Sequence, residues 1–286
     1  MNPMETRRFQ LTHPQDSMRV IRGKIDVPER SGTSRSGIPH AILVHGFKGF
    51  MDWGFFPAMA GRIASHGVAA VRFNVSGSGI GEDLDTFSDL EAFARNTLSR
   101  EIEDIEIVRD WIRAGGVADL DPERAVLVGH SRGGGLALIH AAESGTCRGV
   151  VTWAAVATFD RFDAPTKDLW RHSGFLQVQN ARTGQEMRLD SSALEDLERE
   201  GARFDVPAAC RRLKVPVLLV HGTDDETVPV RESELLLESF DRSGAKLLRI
   251  QGAGHTFGVR HPMTTTTEAW ETVSAATLER ILECVG

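Results

Sequence analysis

The feature that most limits the folds open to this chain is an alternation of short apolar runs, rich in Val and Ile, with longer amphipathic stretches. The clearest runs are Ala41–Val44, Val68–Phe73, Ala125–Val128, Gly149–Trp153, Val217–Val220 and Leu247–Ile250. Near-continuous apolar runs of this length suit strands buried on both faces, as in a parallel sheet covered by helices. Right-handed βαβ crossovers supply those helices. From Thr97 to Arg113, the residues Leu98, Ile102, Ile105, Val108 and Ile112 fall on one stripe. Glu101, Glu103, Asp104 and Arg109 are expected mostly to face water, and Gly115-Gly116 supplies a stop. Glu268 to Leu282 carries Trp270, Val273, Leu278 and Ile281 at helical spacing, and Thr265 with Glu268 matches a capping box. The expected class is therefore α/β, a mostly parallel central sheet with helices on both faces, in a single domain over residues 1–286.

Two segments depart from this rhythm. Arg7–Leu11 and Met18–Ile25 read as two strands of an antiparallel edge, followed by a flexible segment at Ser31–Gly37. From about Thr158 to Arg212 the alternation gives way to a charged, mixed stretch. Phe175–Gln179 and Glu186–Leu189 flank a turn at Asn180–Gly184, which reads as a small hairpin, and Ser191 to Glu200 reads as a short helix. Insertions of this kind tend to be lids over active sites, with a decorative loop as the alternative.

Composition excludes several classes. Hydrophobic residues at 41% and charged residues at 26% are the balance of a soluble globular protein. A net charge of −7 argues against a general grip on nucleic acid or anionic lipid. Cys147, Cys210 and Cys284 are scattered, without CxxC or metal-ligand spacing, so reduced thiols are expected. The opening MNPMETRRFQ has no apolar run and no stretch is long enough to span a membrane. A cytoplasmic protein fits; a secreted form whose signal had been removed would look the same.

The strongest motif is Gly129-His130-Ser131-Arg132-Gly133, a G-x-S-x-G set between the strand Ala125–Val128 and a helix over Gly134–Glu143. A sharp strand-to-helix turn holds such a serine in a strained conformation above the sheet edge, and the glycines two residues away prevent clashes. Ser131 is the candidate nucleophile. A serine needs a base, and the base an orienting carboxylate, in the chain order Ser, acid, His. His255 follows the strand Leu247–Ile250 and is the candidate base; His261 is a rival, handicapped by Pro262 and its distance from the strand end. The acid lies among Asp224, Asp225 and Glu226, after the strand Val217–Val220. Both loops sit at carboxyl ends of strands, where open α/β sheets bind ligands. An oxyanion hole requires two N–H donors, one of them from Arg132, the residue after the nucleophile. His45, His130 and His221 read as turn, packing and supporting residues.

With the His45-Gly46-Phe47-Lys48-Gly49-Phe50 loop after Ala41–Val44 and the Arg72–Gly79 loop after the next strand, the chain resembles the α/β-hydrolase superfamily of serine hydrolases from about Ile42 to Val273. Within it the sequence is most similar to bacterial esterases of the feruloyl/cinnamoyl type, then to prolyl-oligopeptidase-like and dienelactone-hydrolase-like proteins. The resemblance implies an α/β-hydrolase fold. The recurring pattern G-x-x-D-x-x-V-P selects Gly222, Asp225, Val228 and Pro229, which makes Asp225 the acid. It also assigns the second oxyanion donor to the Phe47 N–H and places the insertion at about 158–212 over the acyl pocket. Phe159, Trp170 and Phe175 are then candidate substrate-contacting residues. Two departures stand out: there is no tyrosine, and Ser131 occupies the position where dienelactone hydrolases carry cysteine.

The leading expectation is a carboxylic-ester hydrolase with short-chain or aromatic acyl groups, working through Ser131, His255 and Asp225 on a small-molecule ester. A serine peptidase is the alternative, which would want an anionic anchor such as Asp160, Asp163 or Asp168. A third is a non-enzymatic receptor or scaffold, which has no need of an intact triad. No metal and no organic cofactor is expected, since HExxH, GxGxxG and Walker-type patterns are absent. Neither nucleic acid nor membrane is an expected partner, and oligomeric state is not legible.

Overall fold

The computed structural model describes residues 4–28, 37–180, 183–241 and 244–286. In chain order the elements are β1 (Met4–His13), β2 (Asp16–Pro28), β3 (Ile38–Val44), α1 (Phe55–Ala64), β4 (Ala69–Asn74), α2 (Leu90–Ala94), α3 (Leu98–Arg113), β5 (Leu120–His130), α4 (Arg132–Ser144) and β6 (Gly149–Trp153). They continue as α5 (Ala164–Ser173), β7 (Phe175–Gln179), β8 (Glu186–Asp190), α6 (Ser191–Arg199), α7 (Val206–Arg212), β9 (Val217–Gly222), α8 (Val230–Glu238), β10 (Ala245–Ile250) and α9 (Glu268–Val285). Eight strands form one sheet in the order β1-β2-β4-β3-β5-β6-β9-β10. β1, β2 and β4 pair antiparallel, and every pairing from β4 to β10 is parallel. This is the α/β-hydrolase fold.

Side-chain alternation along the strands divides the core into two layers. Ile42, Val44, Leu127 and Leu219 point to α3, α4, α7 and α8, whereas Ala41, Leu43, Val126, Val128 and Val220 point to α1 and α9. Both faces are covered, which explains why the strands read as unbroken apolar runs. A third cluster joins Phe50, Ile80, Phe87 and Phe93 to Trp170, Met187, Leu189 and Leu194. It fastens α5, α6 and the β7–β8 hairpin to the loops above the sheet. Among the described residues, no helix is long and apolar enough to cross a membrane.

Three sequence expectations need correction. Glu101, Asp104 and Arg109 do not face water: all three are buried. At about 100° per residue Glu101 and Arg109 fall within the same stripe as Ile105, Val108 and Ile112, with Asp104 at its edge, so they are buried with it and need polar partners. Glu101 meets Arg132 and Asn96, Asp104 meets Arg19 and Ser76, and Arg109 meets Ser144 and the Thr146 carbonyl. The N-cap of α9 is Thr267, whose hydroxyl accepts from the Trp270 N–H; Thr265 lies outside the helix. The insertion after β6 is shorter than 158–212, because α7 contributes Val206, Ala209 and Cys210 to the main core as a covering helix of the sheet. The expected flexible segment at 31–37 falls outside the described residues except for Gly37, and the hairpin turn includes residues 181–182, which also fall outside them.

Candidate active site

Ser131 stands between the last residue of β5 and the first of α4, with φ +56° and ψ −120°. Positive φ in a non-glycine residue costs free energy and persists only where the surroundings impose it. Here the Ser131 N–H donates to the Trp153 carbonyl at 2.8 Å, while its carbonyl accepts from Gly134, Gly135 and Val156. The flanking glycines are required by contact. A Cβ on Gly129 would lie 2.3 Å from the Gly133 carbonyl oxygen, and one on Gly133 would lie 2.5 Å from the carbonyl oxygens of Val44 and His45. Gly46, in the loop after β3, approaches so closely that a Cβ there would sit 3.0 Å from Ser131 Cβ.

The loop after β9 carries three adjacent carboxylates, and the fold gives them different fates. Asp224 is exposed and accepts from the neighbouring Thr223 hydroxyl; Glu226 is exposed. Asp225 is buried, with Oδ1 accepting the Thr227 and Val228 N–H groups, each at 2.9 Å. Its Oδ2 lies 2.7 Å from His255 Nδ1 and 3.3 Å from His221 Nε2. Burial alone would raise the Asp225 pKa, but hydrogen bonds from His221, His255 and the Val228 amide together hold it far below the usual carboxylate range. An ionised carboxylate bonded to Nδ1–H fixes the tautomer that leaves His255 Nε2 as the acceptor.

Two further histidines support this pair. His221 is fully buried, its Nδ1 taking the Ser233 hydroxyl at 2.6 Å and its Nε2 facing the Val228 carbonyl at 2.7 Å. His130 Nε2 donates to the His255 carbonyl at 3.0 Å, and the two rings lie 4.7 Å apart. Burial, then the neighbouring His255, pushes the His130 pKa down to about 3, so its ring stays neutral beside the candidate base. His261 goes elsewhere: its Nδ1 accepts the Gly54 N–H at 3.0 Å and its ring packs on Phe50 and Trp53.

Ser131 and His255 line one cavity of about 160 Å³ together with Gly46, Phe47, Lys48, Gly49, Trp53, Phe56, His130 and Thr256. Asp225 and His255 are joined by a hydrogen bond, whereas Ser131 and His255 share the cavity. Phe47 borders the cavity, and Arg132 is the first residue of α4, where N–H groups lack intrahelical partners. The Arg132 side chain has a separate place that the motif alone did not indicate. Its guanidinium reaches Glu101 at 3.1 Å and covers the Phe47 ring at 4.0 Å from the centroid. Nothing in the sequence marked Glu101 beyond its position on α3; Lys48, by contrast, lies inside the quoted loop.

The three aromatics expected over the acyl pocket are not brought to this cavity. Phe159 packs against Gly135 and Phe204 at the base of the insertion, where a Cβ on Gly135 would meet its ring at 2.8 Å. Trp170 is 2% exposed, held by Phe162 and by its indole N–H to the Leu189 carbonyl at 3.0 Å. Phe175 is 41% exposed, on the outer face of β7. The apolar walls are Phe47, Trp53 and Phe56 instead. Among the described residues, no group of three or more His, Cys, Asp or Glu is placed to hold a metal ion.

Comparison with known proteins adds the following. The family model of the prolyl oligopeptidase family matches residues 53–273. A search of curated proteins gave no match. Among solved structures, the chain is similar to Est1E from Butyrivibrio proteoclasticus, with 19% identity, TM-score 0.68 and coverage of 97% of this chain and 98% of that one. It is also similar to the esterase domain of a Rhodothermus marinus protein, at 18% identity, TM-score 0.66 and coverage of 99% and 100%. A monoacylglycerol lipase from Paleococcus ferrophilus matches at 18% identity, TM-score 0.64 and coverage of 98% and 99%.

Proposed function

The chain belongs to the prolyl oligopeptidase family, and from that premise we propose that it is a serine hydrolase acting on carboxylic esters with short acyl groups. The observation that carries the proposal is the 2.7 Å bond between Asp225 and His255 beside a serine held at positive φ. In this reading Ser131 Oγ attacks the ester carbonyl and His255 Nε2 takes its proton, while Asp225 steadies the imidazolium. The Phe47 and Arg132 N–H groups bind the oxyanion. His255 then returns the proton to the leaving alcohol, and water deacylates the enzyme by the same route. A cavity of about 160 Å³ is well below the roughly 300–1,000 Å³ of sites for drug-sized ligands, which favours a short acyl chain.

The family's name makes a peptidase the reading to weigh against this one. A peptidase needs groups that grip a peptide terminus, since an amide is the poorer leaving group and remote binding energy must position it. The acids suited to that task are otherwise engaged: Asp160 pairs with Lys167, Asp168 pairs with Arg171, and Asp163 caps α5. The fold relatives described as an esterase domain and a lipase point to esters as well. The test is a fluorophosphonate probe together with p-nitrophenyl acetate and butyrate. Labelling at Ser131 and ester turnover are both expected to vanish in Ser131→Ala, with little cleavage of aminoacyl anilides by the native protein. Full ester turnover in the alanine variant would overturn the assignment, and anilide cleavage matching ester cleavage would favour the peptidase.

A further inference from the structure

One residue lining the cavity beside Ser131 is a cation, Lys48, that no carboxylate among the described residues neutralises. The Gly49 N–H donates to the Gly46 carbonyl at 3.0 Å, closing a turn in which Lys48 occupies the third position with φ +55°. Glycine or asparagine is the usual residue there, because a side chain with positive φ costs roughly 1–2 kcal/mol. Strain of this kind gathers at ligand sites. Lys48 is one of the residues that line the same cavity as Ser131 and His255. Its ammonium lies 5.5 Å from the Phe47 ring centroid and donates to the Gln179 carbonyl at 2.8 Å. An ammonium has three donors, so this bond leaves two for another acceptor.

Charge around that ring does not balance among the described residues. Arg132 covers the same Phe47 ring and is matched by the buried Glu101 carboxylate at 3.1 Å. Among the described residues, no carboxylate lies within ion-pair distance of Lys48. Burial, and next the Arg132 charge, lowers the Lys48 pKa from its ordinary value, with no acid acting to restore it. A partly desolvated cation is costly until an anion meets it. The whole chain carries a net charge of −7, so this positive spot runs against the general balance.

We infer that Lys48 receives a carboxylate carried by the acyl part of the substrate, so that half-esters of short dicarboxylic acids are the preferred class. This rests on the esterase reading above and leaves its acyl-transfer steps unaltered. A single ammonium matches the single charge of a carboxylate better than a phosphate dianion, and the small cavity holds the acid close to the scissile carbonyl.

The experiment compares kcat/KM for monoethyl succinate and neutral ethyl pentanoate, followed by proton release, in native protein, Lys48→Met and Lys48→Arg. A hydrogen bond to a charged group is worth enough that native protein should prefer the half-ester by roughly tenfold or more. Lys48→Met should erase that ratio and Lys48→Arg keep most of it. Raising salt should slow the half-ester more than the neutral ester. Fluorophosphonate labelling at Ser131 retained in all three proteins separates loss of recognition from loss of the fold. Equal rates for the two esters in native protein, or an unchanged ratio in Lys48→Met with labelling intact, overturn this inference alone. Turnover of neither ester would sink the esterase reading and this inference with it.

Discussion

At the scale of single residues, the site depends on which of several chemically equivalent groups the backbone turns inward. Asp224 and Asp225 are adjacent and identical in kind, yet only Asp225 is buried and bonded to His255. Asp225→Asn should therefore lower kcat by roughly 10⁴-fold, as loss of the orienting carboxylate does in such relays. Asp224→Asn should change it by less than about threefold, because an exposed carboxylate off the relay contributes little. Steady-state rates on p-nitrophenyl butyrate decide this, and a reversal of the two effects would remove Asp225 from its role. Because its hydrogen bonds keep Asp225 ionised well below the usual carboxylate range, Asp225 itself should add no acid limb to kcat/KM. Ser131 and His255 were legible in the sequence as candidates because each sits in a loop fixed by a strand end. Asp225 became so only through the G-x-x-D-x-x-V-P resemblance, since spacing could not separate three consecutive acids.

At the scale of elements, the insertion is anchored differently from the way its composition suggested. Its aromatic residues are there, but an aromatic in a charged stretch has two fates, a pocket wall or a small core of its own. Trp170 takes the second, in the cluster with Phe50, Phe93, Met187 and Leu194. Trp170→Ala should cost about 3–5 kcal/mol of stability where the insertion unfolds with the rest of the chain. The preference between acetyl and butyryl esters should not move. Phe175→Ala, at an exposed position, should shift stability by about 0.5 kcal/mol or less. Thermal melts alongside the two ester rates test both, and a changed acyl preference at unchanged Tm in either variant would return that aromatic to the pocket. The same limit explains the three charged residues on α3. The apolar stripe gave the helix, but its inward face also carries Glu101, Asp104 and Arg109, which residue type alone assigned to water and which partners such as Arg132, Arg19 and Ser76 satisfy.

At the scale of the whole molecule, burial of histidines couples stability to pH. The pKa of His40 is pushed down to about 4, by burial first and then by the Arg109 charge, and that of His130 to about 3. In the unfolded chain both titrate near the ordinary value of 6.5. Below that value the unfolded state takes up protons that the folded state refuses, so stability is greatest above pH 6.5 and falls as the pH drops toward the folded values. While only the unfolded form titrates, each group costs up to about 1.4 kcal/mol per pH unit. Urea midpoints should fall between pH 7.5 and 5, with buried His45 adding to the fall and Asp104, pushed up to about 6 by burial, opposing it, and His40→Gln should flatten the slope. A slope that His40→Gln leaves unchanged would contradict the burial of that ring as a neutral group.

The amino-acid order by itself determined that the chain forms a doubly covered parallel sheet, since strands without a polar face have no other stable surroundings. It also determined the serine elbow, because only glycine fits against the carbonyl oxygens of Gly133, Val44 and His45 that crowd that turn. What the tertiary structure alone decided was which aromatics wall the cavity, and that Lys48 stands there without a counter-charge among the described residues. These depend on distances between loops far apart in sequence, such as the contacts of residues 47–48 with Arg132 and Gln179. Local patterns fix periodicity and turn geometry, but charge balance and burial are sums over neighbours that no stretch of sequence carries on its own.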